Sequence, residues 1–348
     1  MLLVGDIGGT HARLAWATRC GERILLQGIR VLPSRDFDGI ASLLDRFLAS
    51  CPSHETLRAV CLGVPAPADG SVVRLTNLPW VIDGPVLSAR FGVPLKLLND
   101  VEAAAWGLAS LDRDQLLTLQ AGGGRKPSSG EDYDQTEAGC DAGRGAVEAS
   151  SPTRRVLIAP GTGLGEAVVC WDGVRWQCAP TEGGHTDFGP ADDEQLALWR
   201  HLRGLYSHVS YERIISGPGL VELCRFHRDR LGELDRPWPD GVDPAAAIAQ
   251  AAATGTERAA LAAVRSWCRI LGAEAGNLAL SFLARGGVFI AGGMAPKLRV
   301  FVEGPELLEG FRAKGRYREL MSTIPVHLVL DPTLALRGAA LAAEAQVF

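Results

Sequence analysis

The sequence predicts an α/β protein of two lobes with a cleft between them, and three observations carry that expectation. A short apolar strand runs into a glycine loop twice. Leu2-Leu3-Val4 leads into Gly5-Asp6-Ile7-Gly8-Gly9-Thr10, and Val156-Leu157-Ile158-Ala159 leads into Pro160-Gly161-Thr162-Gly163-Leu164-Gly165. The first hundred residues read β-β-β-α-β-α-β, a mixed sheet with helical crossovers. At 348 residues the chain is long for one hydrophobic core and comfortable for two.

Strands near 2–5, 12–18 and 24–31 are rich in Leu, Val and Ile, and the short turns between them imply an antiparallel meander. A helical stretch near 37–50 follows, then the strand Ala59-Val60-Cys61-Leu62-Gly63-Val64 and a turn at Pro67-Ala68-Asp69-Gly70. A helix near 84–91 leads to Leu95-Lys96-Leu97-Leu98, an apolar run suited to a strand buried on both faces. Residues 121–150 have no apolar periodicity and carry Gly122-Gly123-Gly124, Ser128-Ser129-Gly130 and the acidic Glu131-Asp132-Tyr133-Asp134, the pattern of a mobile surface insertion. From 155 the opening recurs as strand, glycine loop, strand Glu166 to Trp171, turn Asp172-Gly173 and strand Val174 to Gln177, which is a duplication of architecture. Further on, Leu261, Val264, Cys268, Leu271, Ala275, Leu278 and Phe282 recur at spacings of three and four, one buried face of a long helix. Gly286-Gly287 is the expected stop, ahead of the strand Val288-Phe289-Ile290 and a third glycine pair, Gly292-Gly293.

Bulk composition narrows the function classes. A formal charge of -5 argues against nucleic acid as the main partner, because a phosphate backbone calls for a concentrated basic face. The eight cysteines form no CxxC pair and no zinc-spaced cluster, so they read as reduced thiols of a cytoplasmic protein. Met1-Leu2-Leu3-Val4 lacks a basic leader and reaches Asp6 at once, which marks a buried strand rather than a signal peptide. No apolar run approaches the length that spans a membrane.

Glycine loops let phosphate oxygens reach main-chain N–H groups and adopt positive φ without strain, and two such loops can grip one polyphosphate from opposite sides. Asn99 and Asp100 stand where the strand ending at Leu98 hands over to a helix, at the carboxyl edge of the sheet where α/β proteins bind ligands. Either residue could simply cap that helix. In a sharper reading, Asp100 is a base and Asn99 its ligand-orienting neighbour. Thr181-Glu182-Gly183-Gly184-His185-Thr186-Asp187 sets a carboxylate and an imidazole three residues apart around two glycines, so that both can converge on a small polar ligand; a structural histidine is the plainer alternative. Taken alone, Glu212 reads as a surface glutamate on a helix.

The motifs together resemble the bacterial glucokinases of the hexokinase-type sugar kinases, within the actin-like ATPase superfamily, over nearly the whole chain outside 121–150. The carriers are Gly5 to Thr10 with Ala12-Arg13-Leu14, Thr76-Asn77-Leu78-Pro79-Trp80, Leu98-Asn99-Asp100, Gly161-Thr162-Gly163-Leu164-Gly165, Glu182-Gly183-Gly184-His185, Ser216-Gly217-Pro218-Gly219, Gly276-Asn277-Leu278-Ala279-Leu280 and Gly287 to Gly293. The resemblance implies two ribonuclease-H-like lobes, the small one from 1–108 plus about 331–348 and the large one from 109–330. It implies transfer of the γ-phosphoryl group of ATP to the 6-hydroxyl of glucose, with Mg²⁺ bridging the terminal phosphates and Asp6 holding it through water. Asp100 corresponds to the catalytic base. Asn77, Asn99, Asp100, Glu182, His185 and Glu212 correspond to the sugar-binding set. Asp6, Gly8, Gly9 and Thr10 match the first phosphate loop, Gly161, Thr162 and Gly163 the second, and Gly292 and Gly293 the adenosine-side turn.

The first loop departs from better-known members, which have Asn at the His11 position, and the zinc-binding cysteine cluster of the related repressor and kinase family is absent. The family also implies a homodimer. A kinase for another hexose or an amino sugar remains an alternative, and so does a sugar-sensing protein on the same scaffold.

Overall fold

The structure is a computed structural model and describes residues 1–21, 23–49, 57–66, 72–75, 78–123, 154–234, 237–238 and 241–347. Asn77, the turn at 67–70 and all but the first three residues of the 121–150 stretch fall outside the described residues.

Among the described residues, two mixed sheets organise the chain, each with its own helices. The first contains β1 (Leu2–Ile7), β2 (His11–Cys20), β3 (Arg23–Pro33), β4 (Ala59–Val64) and β7 (Leu95–Asn99) in the order β3-β2-β1-β4-β7. β1, β2 and β3 form the antiparallel meander, whereas β4 and β7 add in parallel after crossovers. A separate hairpin joins β5 (Val72–Arg74) and β6 (Val81–Asp83). The crossover helices are α1 (Ile40–Leu48) and α2 (Gly84–Phe91), and α3 (Asp100–Gly107) leaves β7 directly.

The second sheet repeats this plan. β8 (Leu116–Gln120), β9 (Arg154–Pro160), β10 (Leu164–Trp171), β11 (Trp176–Thr181), β12 (Val288–Ile290) and β13 (Val326–Val329) lie in the order β11-β10-β9-β12-β13-β8. β9, β10 and β11 are the antiparallel meander, and β12 and β13 add in parallel. This is the duplicated architecture read from the two glycine-loop openings. The helices α4 (Asp193–Leu205), α5 (Gly217–Leu231), α6 (Pro244–Thr254) and α7 (Arg258–Phe282) precede β12. Between β12 and β13 come α8 (Met294–Lys297), α9 (Arg299–Val302), α10 (Pro305–Arg312) and α11 (Arg318–Thr323).

The last helix, α12 (Leu334–Val347), returns to the first sheet and packs on β1, β2, β4 and α3. Its buried residues Leu336, Ala339, Ala340, Ala342 and Ala343 share an apolar cluster with Val4, Ala15, Cys61 and Ala103. The opposite face of that sheet has its own core around Leu3, Leu14, Leu43, Phe47, Leu62 and Trp80. α3 therefore lies between the two lobes: its other side meets β9, β10 and β11, with Ala105 buried among Leu157, Ala167 and Val169. The helix carrying Asp100 is shared by both halves of the molecule.

Four local expectations need correction. β7 is an edge strand in which only Leu98 is fully buried, so its apolar run is not enclosed on both faces. The third strand of the second meander starts at Trp176, not Val174, because Asp172 caps the turn with its Oδ1, which accepts the N–H groups of Val174 and Arg175. The long helix ends at Phe282, before the glycine pair, and Leu283 takes the left-handed conformation at φ 47° usually filled by glycine. α7 is also buried around more than one stripe, with Trp267, Ile270, Glu274 and Ala279 enclosed as well. Among the described residues, no helix is long and apolar enough to cross a membrane.

Candidate active site

β1, β4 and β7 run parallel, and their carboxyl ends position the first group of polar residues. In register, Asp6 pairs with Gly63 and Gly63 with Leu98, so Asp6 closes β1 near the point where β7 gives way to α3 at Asn99 and Asp100. Asn99 is the cap of α3. Its Oδ1 accepts the N–H of Val101 at 2.9 Å and of Glu102 at 3.3 Å, and its Nδ2 reaches Ala66 O at 3.4 Å. The carboxylate of Asp100 accepts the Val101 N–H at 2.9 Å. Burial first, and then the like charge of Asp6, push the Asp100 carboxyl up to about 6, against the pull of nearby N–H groups; Glu182 adds a further push. Asp6 is also raised by burial and is held down by Arg13, whose Nη1 stands 3.5 Å from its Oδ2.

Main-chain bonds shape the first loop between β1 and β2. Gly8 N–H donates to His11 O at 3.0 Å, Ser34 N–H to Thr10 O at 2.9 Å and Ser34 Oγ to Gly8 O at 2.7 Å. Because the His11 contribution is its carbonyl, and its side chain is exposed, the departure at this position leaves the turn intact.

The second loop is closed by Gly161 N–H donating to Gly163 O at 2.8 Å, with Thr162 at the tip. Gly161 O accepts the N–H of Gly217, the first residue of α5, at 2.9 Å. The N-terminus of a fifteen-residue helix thus abuts this loop, capped by Ser216, whose Oγ accepts the Gly219 N–H at 3.1 Å. Free N–H groups and the helix dipole make such an end favourable for anions. Ser216 followed by Gly-Pro-Gly is the helix-start signal that marks this end in the sequence, although the family resemblance gives it no role. Gly292 follows β12 and packs against Pro160 O, which sets Gly292 and Gly293 beside the same loop.

The remaining residues come from two short segments lying side by side. Tyr211 N–H donates to Thr186 O at 3.2 Å, Phe188 N–H to Val209 O at 3.0 Å, and Asp187 bridges to Ser210. His208 Nε2 adds a 2.8 Å contact to Asp187 Oδ1. Within this frame His185 stands 3.9 Å from both carboxylates, its Nε2 to Glu182 Oε2 and its Nδ1 to Glu212 Oε1. Glu212 lies in a tight 3-10 turn, Tyr211–Arg213, with its side chain 26% exposed, so it is not the solvated helical glutamate that its local sequence implies. Its Oε2 accepts the N–H of Leu164 at 2.9 Å and ties it to the second loop.

The two halves of the site meet at α3. A Cβ on Gly165 would overlap Val101 Cγ2, so β10 reaches α3 one residue past Asp100. Asp100 consequently sits with Asp6 on one side, the second glycine loop on the other and Glu182 within electrostatic reach. The arrangement offers a carboxylate whose proton affinity is lifted toward neutrality, a set of acceptors and an imidazole suited to a polyol, and two N–H-lined loops suited to phosphates.

Comparison with known proteins identifies the family. The family model described as "Glucokinase" matches residues 3–346. A glucokinase of Trichormus variabilis is 35% identical over 367 aligned positions, covering 99% of this chain and 98% of the relative, and one of Chromobacterium violaceum is 34% identical, covering 97% and 88%. Among solved structures, a glucokinase from an Antarctic psychrotroph superposes with a TM-score of 0.81 at 29% identity, covering 99% of this chain and 98% of that one.

Proposed function

The chain belongs to the glucokinase family and phosphorylates glucose with ATP, and we propose that Asp100 is the base that accepts the proton of the sugar's 6-hydroxyl. Phosphoryl transfer proceeds through a loose transition state, so the protein's main work is to hold donor and acceptor in line and to offset charge. Asp100 orients the attacking oxygen and takes its proton as the new P–O bond forms. Asn99, Glu182, His185 and Glu212, with Asn77 from outside the described residues, hold the other hydroxyls, and a sugar lacking a matched hydroxyl leaves one of these groups unpaired and is selected against. Gly8, Gly9 and Thr10 from one lobe and Gly161, Thr162 and Gly163 from the other receive the phosphates, while Gly292 and Gly293 line the adenosine side. Closure of the lobes excludes water as a competing acceptor.

Support for this reading comes from one convergence: Asp6 and Glu182 both act on Asp100, His185 stands between Glu182 and Glu212, and Glu212 is tied to the second glycine loop through Leu164. The lobe boundaries at 108 and 331 are supported by the return of α12 to the first sheet.

Mg²⁺ fits the donor set. Among the described residues, no group of three His, Cys, Asp or Glu could hold an ion unaided. Asp6, half-buried and only partly offset by Arg13, suits an ion that keeps part of its water shell and takes other ligands from phosphate. When bound, the ion neutralises charge on the terminal phosphates.

A homodimer is the assembly implied by family resemblance, to be tested by light scattering. A cytoplasmic setting is the compartment that the cysteine spacing of the sequence implies.

A panel of hexoses and amino sugars with coupled ADP detection tests the function. The expected result is the highest kcat/KM for glucose. Faster turnover of another sugar moves the assignment to that substrate, and glucose binding without ADP release supports a sensor.

A further inference from the structure

One buried acid lies directly beneath the loop that carries Glu182 and His185. Glu166, in β10, is 1% exposed, and among the described residues neither of its carboxyl oxygens meets a hydrogen-bond partner. A Cβ on Gly183 would overlap Glu166 Oε2, and a Cβ on Gly184 would overlap Leu164 O. The two glycines between Glu182 and His185 are therefore seated on β10, one on the Glu166 carboxyl and the other on a main-chain carbonyl. Thr181 completes the seat: its Oγ1 donates to Glu166 O and accepts the Gly183 N–H, both at 3.1 Å.

The charged and titratable groups around Glu166 come from three other elements. α7 supplies Glu274, 4% exposed, which accepts Asn277 Nδ2 at 2.9 Å and the hydroxyl of Tyr211. Lys314, following α10, donates to Asn277 Oδ1 at 2.5 Å and to Ala273 O at 2.7 Å, so its cation serves α7 rather than Glu166. The loop itself carries Glu182 and His185 on its exposed side. Burial, followed by the like charge of Glu274, raises the Glu166 carboxyl to about 8. An ionised Glu166 would be a buried charge beside a second carboxylate with no donor to receive it, an arrangement that proteins avoid by retaining the proton.

We propose that Glu166 is a positioning residue that works in its protonated form, and that its ionisation unseats the Gly183-Gly184 turn and withdraws Glu182 and His185 from the sugar. The proposal rests on the glucokinase reading. Glucose then favours the neutral form of Glu166. Affinity is full below the midpoint of this group and falls roughly tenfold for each pH unit above it, and binding in that range takes up one proton. Turnover at saturating glucose, set by Asp100 and the nucleotide, stays nearly constant.

The test compares wild type with Glu166→Gln, which retains a neutral group of the same shape. Glucose KM and kcat are followed from pH 6.5 to 9.5, with calorimetry of glucose binding at pH 9 in two buffers of different ionisation heat. The expected result is a glucose KM that rises roughly tenfold between pH 7 and pH 9 in wild type, with proton uptake at pH 9, and a flat KM without uptake in Glu166→Gln at near-normal kcat. Parallel rises in both proteins, or a flat wild-type KM, overturn the proposal. Should Glu166→Gln fail to fold, Glu274→Gln serves: removing the like charge lowers the midpoint, so the KM rise begins at lower pH, and an unmoved rise overturns the proposal. Failure of wild type to phosphorylate glucose at any pH is a different outcome and strikes the functional reading itself.

Discussion

The Oε2 atom of Glu212 accepts the N–H of Leu164 at 2.9 Å, so a residue assigned to the sugar also fixes the loop assigned to the nucleotide. Its other oxygen faces His185 Nδ1 at 3.9 Å. This pairing predicts that Glu212→Ala impairs both substrates. Loss of a charge-assisted acceptor for a main-chain N–H is worth about 1.5–3 kcal/mol, so kcat/KM for glucose falls roughly ten- to a hundredfold. The ATP KM rises in the same variant, whereas Glu212→Gln, which still accepts from Leu164, restores the ATP KM and not the glucose KM. Steady-state kinetics on the two variants checks this.

Gly165 and Val101 are coupled sites. A methyl group at 165 has no room against Val101, so Gly165→Ala pushes β10 away from α3 and shifts Asp100. The expected cost is about 1–3 kcal/mol of stability with a lowered kcat. Val101→Ala removes the obstructing methyls, and the double variant recovers most of both losses. A double-mutant cycle in melting temperature and kcat reads the coupling.

Asp100 is held against its preference for water, and its shift gives a stability prediction with a definite sign. Its carboxyl is raised to about 6 from its ordinary value of 3.8. Folding therefore favours the protonated acid: the stability that Asp100 contributes is full below its unfolded value and is lost as pH rises through about 6. Asp100→Asn removes that loss and is more stable than wild type at pH 7.5 by about 1–3 kcal/mol, a gain that shrinks toward zero as pH falls toward 4. Urea unfolding at pH 5 and pH 7.5 measures it.

Much of this site was readable from residues adjacent in the chain. Strand-to-glycine transitions at Val4 and Ala159 and the hand-over at Leu98 depend on local patterning, and the structure has strands and loops there. What local patterning could not give depends on distant partners. Whether β7 is enclosed is decided by its place at a sheet edge. Leu283 stops α7 in a left-handed conformation that favours glycine, where the turn is closed by the N–H of the buried Ala284 donating to Ala279 O at 3.0 Å. The burial of Glu212 by the second loop, and the meeting of Glu166 with Gly183, join residues whose contact no spacing rule predicts. For Glu212 only the family resemblance grouped it with His185, which stands 3.9 Å away.

The assignment of Asp100 as base is tested most directly by kcat for glucose with Mg-ATP in Asp100→Asn, alongside the stability measurement that shows the variant folded. The account predicts a fall on the order of a hundred- to ten-thousandfold, with glucose affinity changed only a few-fold. Turnover close to that of wild type would contradict it.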